Sequence, residues 1–173
     1  MLFRSGRGVA VKKVQYAPDL FIEDALRFIR ENQAKPFFLY FAMNVPHANN
    51  EAGKAGMEVP DLGEFADKDW PGPEKGFAAM IRNIDRDTGR ILDLLNELDI
   101  ADNTLVIFTS DNGPHAEGGH DADFFDPNGK PRGIKRDLTE GGIRVPTIAH
   151  WPGTIKPGTE DDAHWYFGDM LAT

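Results

Sequence analysis

The residues of this chain that could do chemistry gather where its apolar runs break. Thr109-Ser110-Asp111-Asn112-Gly113-Pro114 ends one such run and sets a carboxylate beside a side-chain amide oxygen. Hard cations such as calcium and magnesium take oxygen ligands of this kind. Neighbours on a regular strand face opposite ways, but where a strand breaks into Gly-Pro both can turn toward one ion. A plain Asn-Gly turn uses the same residues, and two ligands do not complete a calcium shell of about 6–8 oxygens. His47 follows Pro46 after another apolar run. A histidine there can act as acid, base or donor to an anionic ester, or stand as a surface histidine. His115 and His120 share the turn Pro114-His115-Ala116-Glu117-Gly118-Gly119-His120-Asp121. Its two histidines and two carboxylates imitate a transition-metal set without the regular ligand spacing of one. Substrate contact by His115 is the preferred functional reading. Lys135, in Arg132-Gly133-Ile134-Lys135-Arg136-Asp137, is placed to hold an anionic oxygen on a substrate or leaving group. The same residues, with Lys130, also read as a solvated basic loop. Glu140 and Arg144 read as a structural pair in a glycine turn.

The elements that must position these groups are legible in the hydrophobic pattern. Pro18 to about Gln33 reads as a helix, with Pro18 at a first-turn position and Asp19, Glu23 and Asp24 near the positive end of its dipole. Phe37 to Ala42 is a short continuous apolar run, the pattern of a parallel strand buried on both faces. Ala48 to Pro73 is loop-like, and loops of this length are usually functional or mobile. From about Glu74 to Leu98, apolar residues recur at three- and four-residue steps (Phe77, Met80, Ile81, Ile84, Ile91, Leu95, Leu98), which predicts an amphipathic helix on a core. Thr104 to Thr109 reads as a second buried strand, Pro146 to Trp151 as a third, and a final helix is expected near Asp162. Strand, helix, strand with buried strands implies a right-handed crossover and a parallel sheet. Ligands bind beyond the C-terminal strand ends of such sheets. That would bring His47 and Asp111-Asn112 to one edge.

Composition narrows the field. The 173 residues carry a net charge of -9, against a grip on a nucleic-acid backbone. No stretch approaches the roughly 20 apolar residues of a membrane span. The basic N-terminus, Met1 to Gln15, lacks the apolar core of a signal peptide. There is no Cys, which removes disulfides, Cys-based metal sites and any cysteine-derived nucleophile within the chain.

Several segments together carry a resemblance. They are Pro36-Phe37-Phe38-Leu39-Tyr40 leading to Pro46-His47, and Phe77 to Leu98 centred on Ile84-Asp85-Arg86. They continue with Thr109 to Pro114, Gly133-Ile134-Lys135-Arg136, Glu140 to Pro146 and Trp151-Pro152-Gly153. In this order and spacing the chain resembles the type I sulfatases, the arylsulfatase-like branch of the alkaline phosphatase superfamily, and most of all the bacterial sulfatases of sulfated carbohydrates. The resemblance implies an α/β fold, here part of a mostly parallel sheet flanked by helices and incomplete. It implies a sulfuric ester hydrolase acting on a sulfated carbohydrate or aryl sulfate. It implies that Asp111 and Asn112 are the second pair of calcium ligands and that His47 contacts the sulfate or leaving-group side. It further implies that Lys135 binds sulfate and helps the leaving oxygen depart, and that His115 contacts substrate. A periplasmic or secreted location is implied for a full-length relative.

The departures are equally specific. The family's first Asp-Asp calcium pair and its Cys/Ser-x-Pro-x-Arg segment, whose Cys or Ser becomes formylglycine, have no match here. Ser5 is followed by Gly6-Arg7-Gly8. The expectation is therefore a central-to-C-terminal piece of a sulfatase domain, residues 1–173, inactive alone and a weak calcium binder. Two rival readings stand beside it: a phosphodiesterase or phosphonate hydrolase of the same superfamily, and a non-catalytic glycan-binding remnant.

Overall fold

The computed structural model describes Lys12 and residues 14–171. The Ser5 region and most of the basic N-terminus lie outside these residues. Helix α1 is Ala17–Asn32 and helix α2 is Gly72–Glu97. Each begins on a proline in its first turn, where a missing N–H loses no helical bond. Helix α2 ends where Asp99 adopts a left-handed φ of 57°, and the Ile100 N–H reaches back to the Leu95 carbonyl at 3.0 Å. This closing turn satisfies carbonyls that the helix end would leave bare.

The two helices lie side by side and run parallel. Arg86 meets Asp19 at 3.0 Å, Arg90 meets Glu23 at 2.6 Å and Arg30 meets Glu97 through two bonds of 3.0 and 3.1 Å. All three pairs are 67 residues apart in sequence, and a constant offset along two helices is the mark of a parallel pair. Between them Ile29 packs with Leu94 and Leu95 in one buried cluster, which Leu26, Phe37, Leu39 and Val106 flank. A second cluster, Val45, Ala48, Met57, Phe77 and Met80, lies under the loops that follow the extended segments.

The sheet departs from expectation. Strand β1, Val106–Thr109, pairs antiparallel with strand β2, Thr147–His150, in the register Val106 to His150 and Thr109 to Thr147. These two are the whole sheet among the described residues. A mostly parallel sheet is not what they form. The run from Phe37 to Met43 is extended, but it carries no sheet assignment. Its odd residues turn inward and half-bury, while Phe38 is 85% exposed and Tyr40 77%. The expected burial of both faces is thus not realised. A strand is buried on two faces only when layers cover both, and here the helices cover one. The short helices α3, Ala122–Phe125, and α4, Glu140–Ile143, punctuate the loops. Instead of a final α-helix near Asp162, the chain makes a 3₁₀ segment at Phe167–Leu171.

Candidate active site

The loops after the extended run and after β1 meet over the second cluster. His47 leaves a cis Val45–Pro46 bond, and its Nδ1 lies 2.7 Å from the Ala48 carbonyl. A carbonyl only accepts, so Nδ1 carries the proton and the neutral ring presents a bare Nε2. That Nε2 lies 3.0 Å from Lys135 Nζ, which donates to it. Lys135 is held from its own backbone, whose N–H donates to the Pro114 carbonyl at 2.7 Å. The loop carrying it is braced from below. The Gly113 N–H donates to the Gly142 carbonyl at 3.0 Å, and the Gly141 N–H to the Arg132 carbonyl at 2.8 Å. A Cβ on Gly113 would collide with the Gly141 carbonyl, so this approach requires glycine.

Asp111 and Asn112 stand just before that contact and line the same open cleft as His47, His115 and Lys135. Asp111 is exposed and Asn112 half-buried. Their oxygens suit a hard cation in kind. Among the described residues, however, no group of three or more His, Cys, Asp or Glu side chains is placed to hold a metal. The donor set is a partial one. The resembling metal set at His115 and His120 is not assembled either, because the two rings serve different partners.

His115 lines the same cleft and is held within the protein. Its ring is buried, its Nε2 donates to the Pro46 carbonyl at 2.9 Å, and its Nδ1 accepts the Glu117 N–H at 3.1 Å. Burial pushes its pKa below the ordinary histidine value, and the Pro46 bond only partly offsets this. Both nitrogens are occupied within the protein, so the ring ties the His47 loop to the Glu117 loop. His120 is tied more deeply. Its Nδ1 lies 2.5 Å from Glu74 in the first turn of α2, whose other oxygen accepts the Asp121 N–H at 2.9 Å. Its ring stacks on Phe77 at 3.9 Å between centroids.

Glu117 enters the sequence reading only as one carboxylate of the His115–Asp121 turn, with no role of its own. Its carboxylate receives Arg136 at 2.5 Å and Lys135 at 3.3 Å, and faces His47 Nε2 at 3.7 Å. Burial opposes its ionisation, but the bonds and charges of Arg136 and Lys135 prevail and hold its pKa at about 2. As a sequence feature it is one acid in a polar turn, and no spacing rule singles it out. Glu74 is equally silent, since an acid in a first helical turn is ordinary.

Residues 7–173 match the sulfatase family model. The chain belongs to the sulfatase family. Among its sulfatase relatives, the N-acetylgalactosamine-6-sulfatase of Canis lupus familiaris is 36% identical over 146 residues, which is 80% of this chain and 24% of that protein. The N-acetylgalactosamine-6-O-sulfatase of Bacteroides thetaiotaomicron is 33% identical over 168 residues, covering 90% of this chain and 29% of the relative. The crystal structure of Ps i-CgsB in complex with k-i-k-neocarrahexaose superposes with a TM-score of 0.66 at 31% identity, over 85% of this chain and 30% of that one. A structure from a study of glycosaminoglycan metabolism by Bacteroides thetaiotaomicron gives 0.65 at 34% identity, over 86% and 30%. The chain thus spans about a quarter of the length of the curated sulfatases it matches. Its fold is that of the corresponding part of these sulfatases. No helix among its described residues is long and apolar enough to cross a membrane.

Proposed function

We propose that this chain supplies the sulfate-binding and leaving-group side of a sulfatase active site, acting on a sulfated carbohydrate or an aryl sulfate. The observation that carries this is the Lys135–His47 contact of 3.0 Å, at the cleft shared with Asp111 and Asn112. Lys135 keeps one N–H donor beyond those given to His47 and Glu117, and an ammonium in a partly dry site is well suited to a sulfate oxygen. Lys135 Nζ donates to His47 Nε2. As a nucleophile bonds to sulfur and the ester S–O bond breaks, the Lys135 ammonium gives a proton to the departing alkoxide oxygen, leaving an alcohol. Asp111 and Asn112 would hold part of a calcium ion, which when bound neutralises charge on the sulfate group. A mostly parallel sheet, completed beyond these strands, and a periplasmic or secreted setting fit the same family resemblance.

The test is a titration of the purified chain with inorganic sulfate and with 4-nitrophenyl sulfate, following the His47 ring and Lys135 side chain by NMR. Saturable shifts at both, lost in Lys135→Ala, are expected. Phosphate monoesters moving these signals while sulfate does not would favour a phosphoryl-transfer relative and sink the reading. The 173-residue chain has no Cys and no Cys/Ser-x-Pro-x-Arg segment, so no turnover of 4-nitrophenyl sulfate is expected from it alone. Measurable turnover would show that the chain supplies more than this one side.

A further inference from the structure

The contacts around Glu117 close into a ring. His47 follows Pro46, the Pro46 carbonyl accepts from His115, and His115 accepts from the Glu117 backbone. The Glu117 carboxylate then holds Lys135, which donates back to His47. The Glu117 side chain is only 12% exposed, so its grip is little weakened by water. Arg136, which takes the second oxygen, sits in the left-handed region with φ of 80°. A non-glycine residue pays for that conformation with strain, and such strain persists where surrounding contacts fix it.

We propose that Glu117 is a positioning residue for the Lys135–His47 pair, fixing the ammonium against Nε2 of the ring. The proposal builds on the active-site reading above, but it concerns the free chain and its test uses no sulfate. Freed from Glu117, the ammonium would move away from His47. Glu117 therefore affects His47 in two ways: directly, as a nearby anion, and indirectly, by keeping a cation in place. The charged groups facing His47 are Glu117 and Lys135, with the neutral His115 ring 6.2 Å away between centroids.

A double-mutant cycle read on the His47 NMR titration midpoint separates the two. In a Lys135→Met background, Glu117→Gln removes only an anion, so the midpoint falls. With Lys135 present, the same substitution also releases a cation, so the midpoint falls less or rises. The two shifts should differ by about half a pH unit or more. Glu117→Asp keeps the charge and shortens the reach. It should raise the midpoint when Lys135 is present and leave it unmoved in the Met background, and it serves if the Gln variant does not fold. Equal shifts in both backgrounds would overturn the proposal, because Glu117 would then act as a charge alone. If sulfate leaves His47 and Lys135 unmoved while the cycle is non-additive, the active-site reading falls and the positioning role stands. An additive cycle with an intact sulfate response does the reverse.

Discussion

Helices α1 and α2 and the extended segments beside them all come from apolar sequence, and they end in different states. The helices bury their stripes against each other and against Phe37 and Leu39. They also pair their outer charges along a common 67-residue offset. The extended segments satisfy only half of their apolar surface. Phe38 and Tyr40 point outward, and in β2 Ile148 is 59% exposed. A helix closes its own backbone hydrogen bonds and needs one apolar contact face. A strand needs a neighbour to take its backbone hydrogen bonds, and an apolar one needs cover on both faces. This chain contains enough partners for the first requirement and too few, among its described residues, for the second.

That contrast can be broken experimentally, beginning where the effect should be largest. Ile29→Ala removes a side chain that is 1% exposed in the cluster it forms with Leu94 and Leu95, and should cost about 3 kcal/mol in a denaturant melt. A much smaller loss would mean that the helix pair is not the stable part. Glu74→Ala leaves the His120 ring and the Asp121 N–H without their buried acceptor. It should cost about 2–3 kcal/mol, and His120 should lose its distinct ring resonance. Preserved stability would detach the site loop from α2.

Acid provides the next test. His115 has a pKa depressed by burial, so its contribution is complete above the ordinary value of 6.5 and is lost as pH falls toward its lowered folded value. Glu117, held at about 2, contributes fully above 4.5 and loses its contribution as pH falls from there toward 2. Melting temperature should therefore decline in two stages on acidification, and His115→Gln should remove the upper one. A single decline centred near 4.5 would contradict the structure.

The smallest effects should lie on exposed surface. Phe38→Lys should leave the melt unchanged within about 0.5 kcal/mol while reducing self-association in sedimentation, since a charge on an open strand blocks edge pairing. A large destabilisation would mean that the outer face is covered after all. Arg30→Ala removes an exposed pair with Glu97, and no measurable change is expected.

The helices were the most legible part of the sequence, because a period near 3.6 and proline starts are local signals. The predicted 18–33 and 74–98 became Ala17–Asn32 and Gly72–Glu97. Strand locations were legible too, since Thr104–Thr109 and Pro146–Trp151 contain β1 and β2. Strand direction and partners were not, because an apolar run states that it wants burial and does not state which segment provides it. In the site, the residue types at His47 and Lys135 pointed to anion chemistry, and the structure brings those two together. The buried His115 ring joins two loops, a role its residue type and neighbours do not announce. Nothing in a histidine's sequence neighbours tells whether both its nitrogens will find carbonyls and amides inside the protein.

By itself, the sequence determined that this chain belongs with the sulfatases, that its 173 residues contain no cysteine, and that a histidine and a lysine stand just beyond two of its apolar and glycine-marked breaks. Those facts reside in residue identity and local order. Only the tertiary structure decided that Glu117 joins Lys135, Arg136 and His47, and that Glu74 anchors the loop on which Glu117 stands. Glu74 and His120 are 46 residues apart, and His47 and Lys135 are 88 apart. Contacts of a few ångströms over such separations depend on how the loops are packed, and no local pattern encodes that packing.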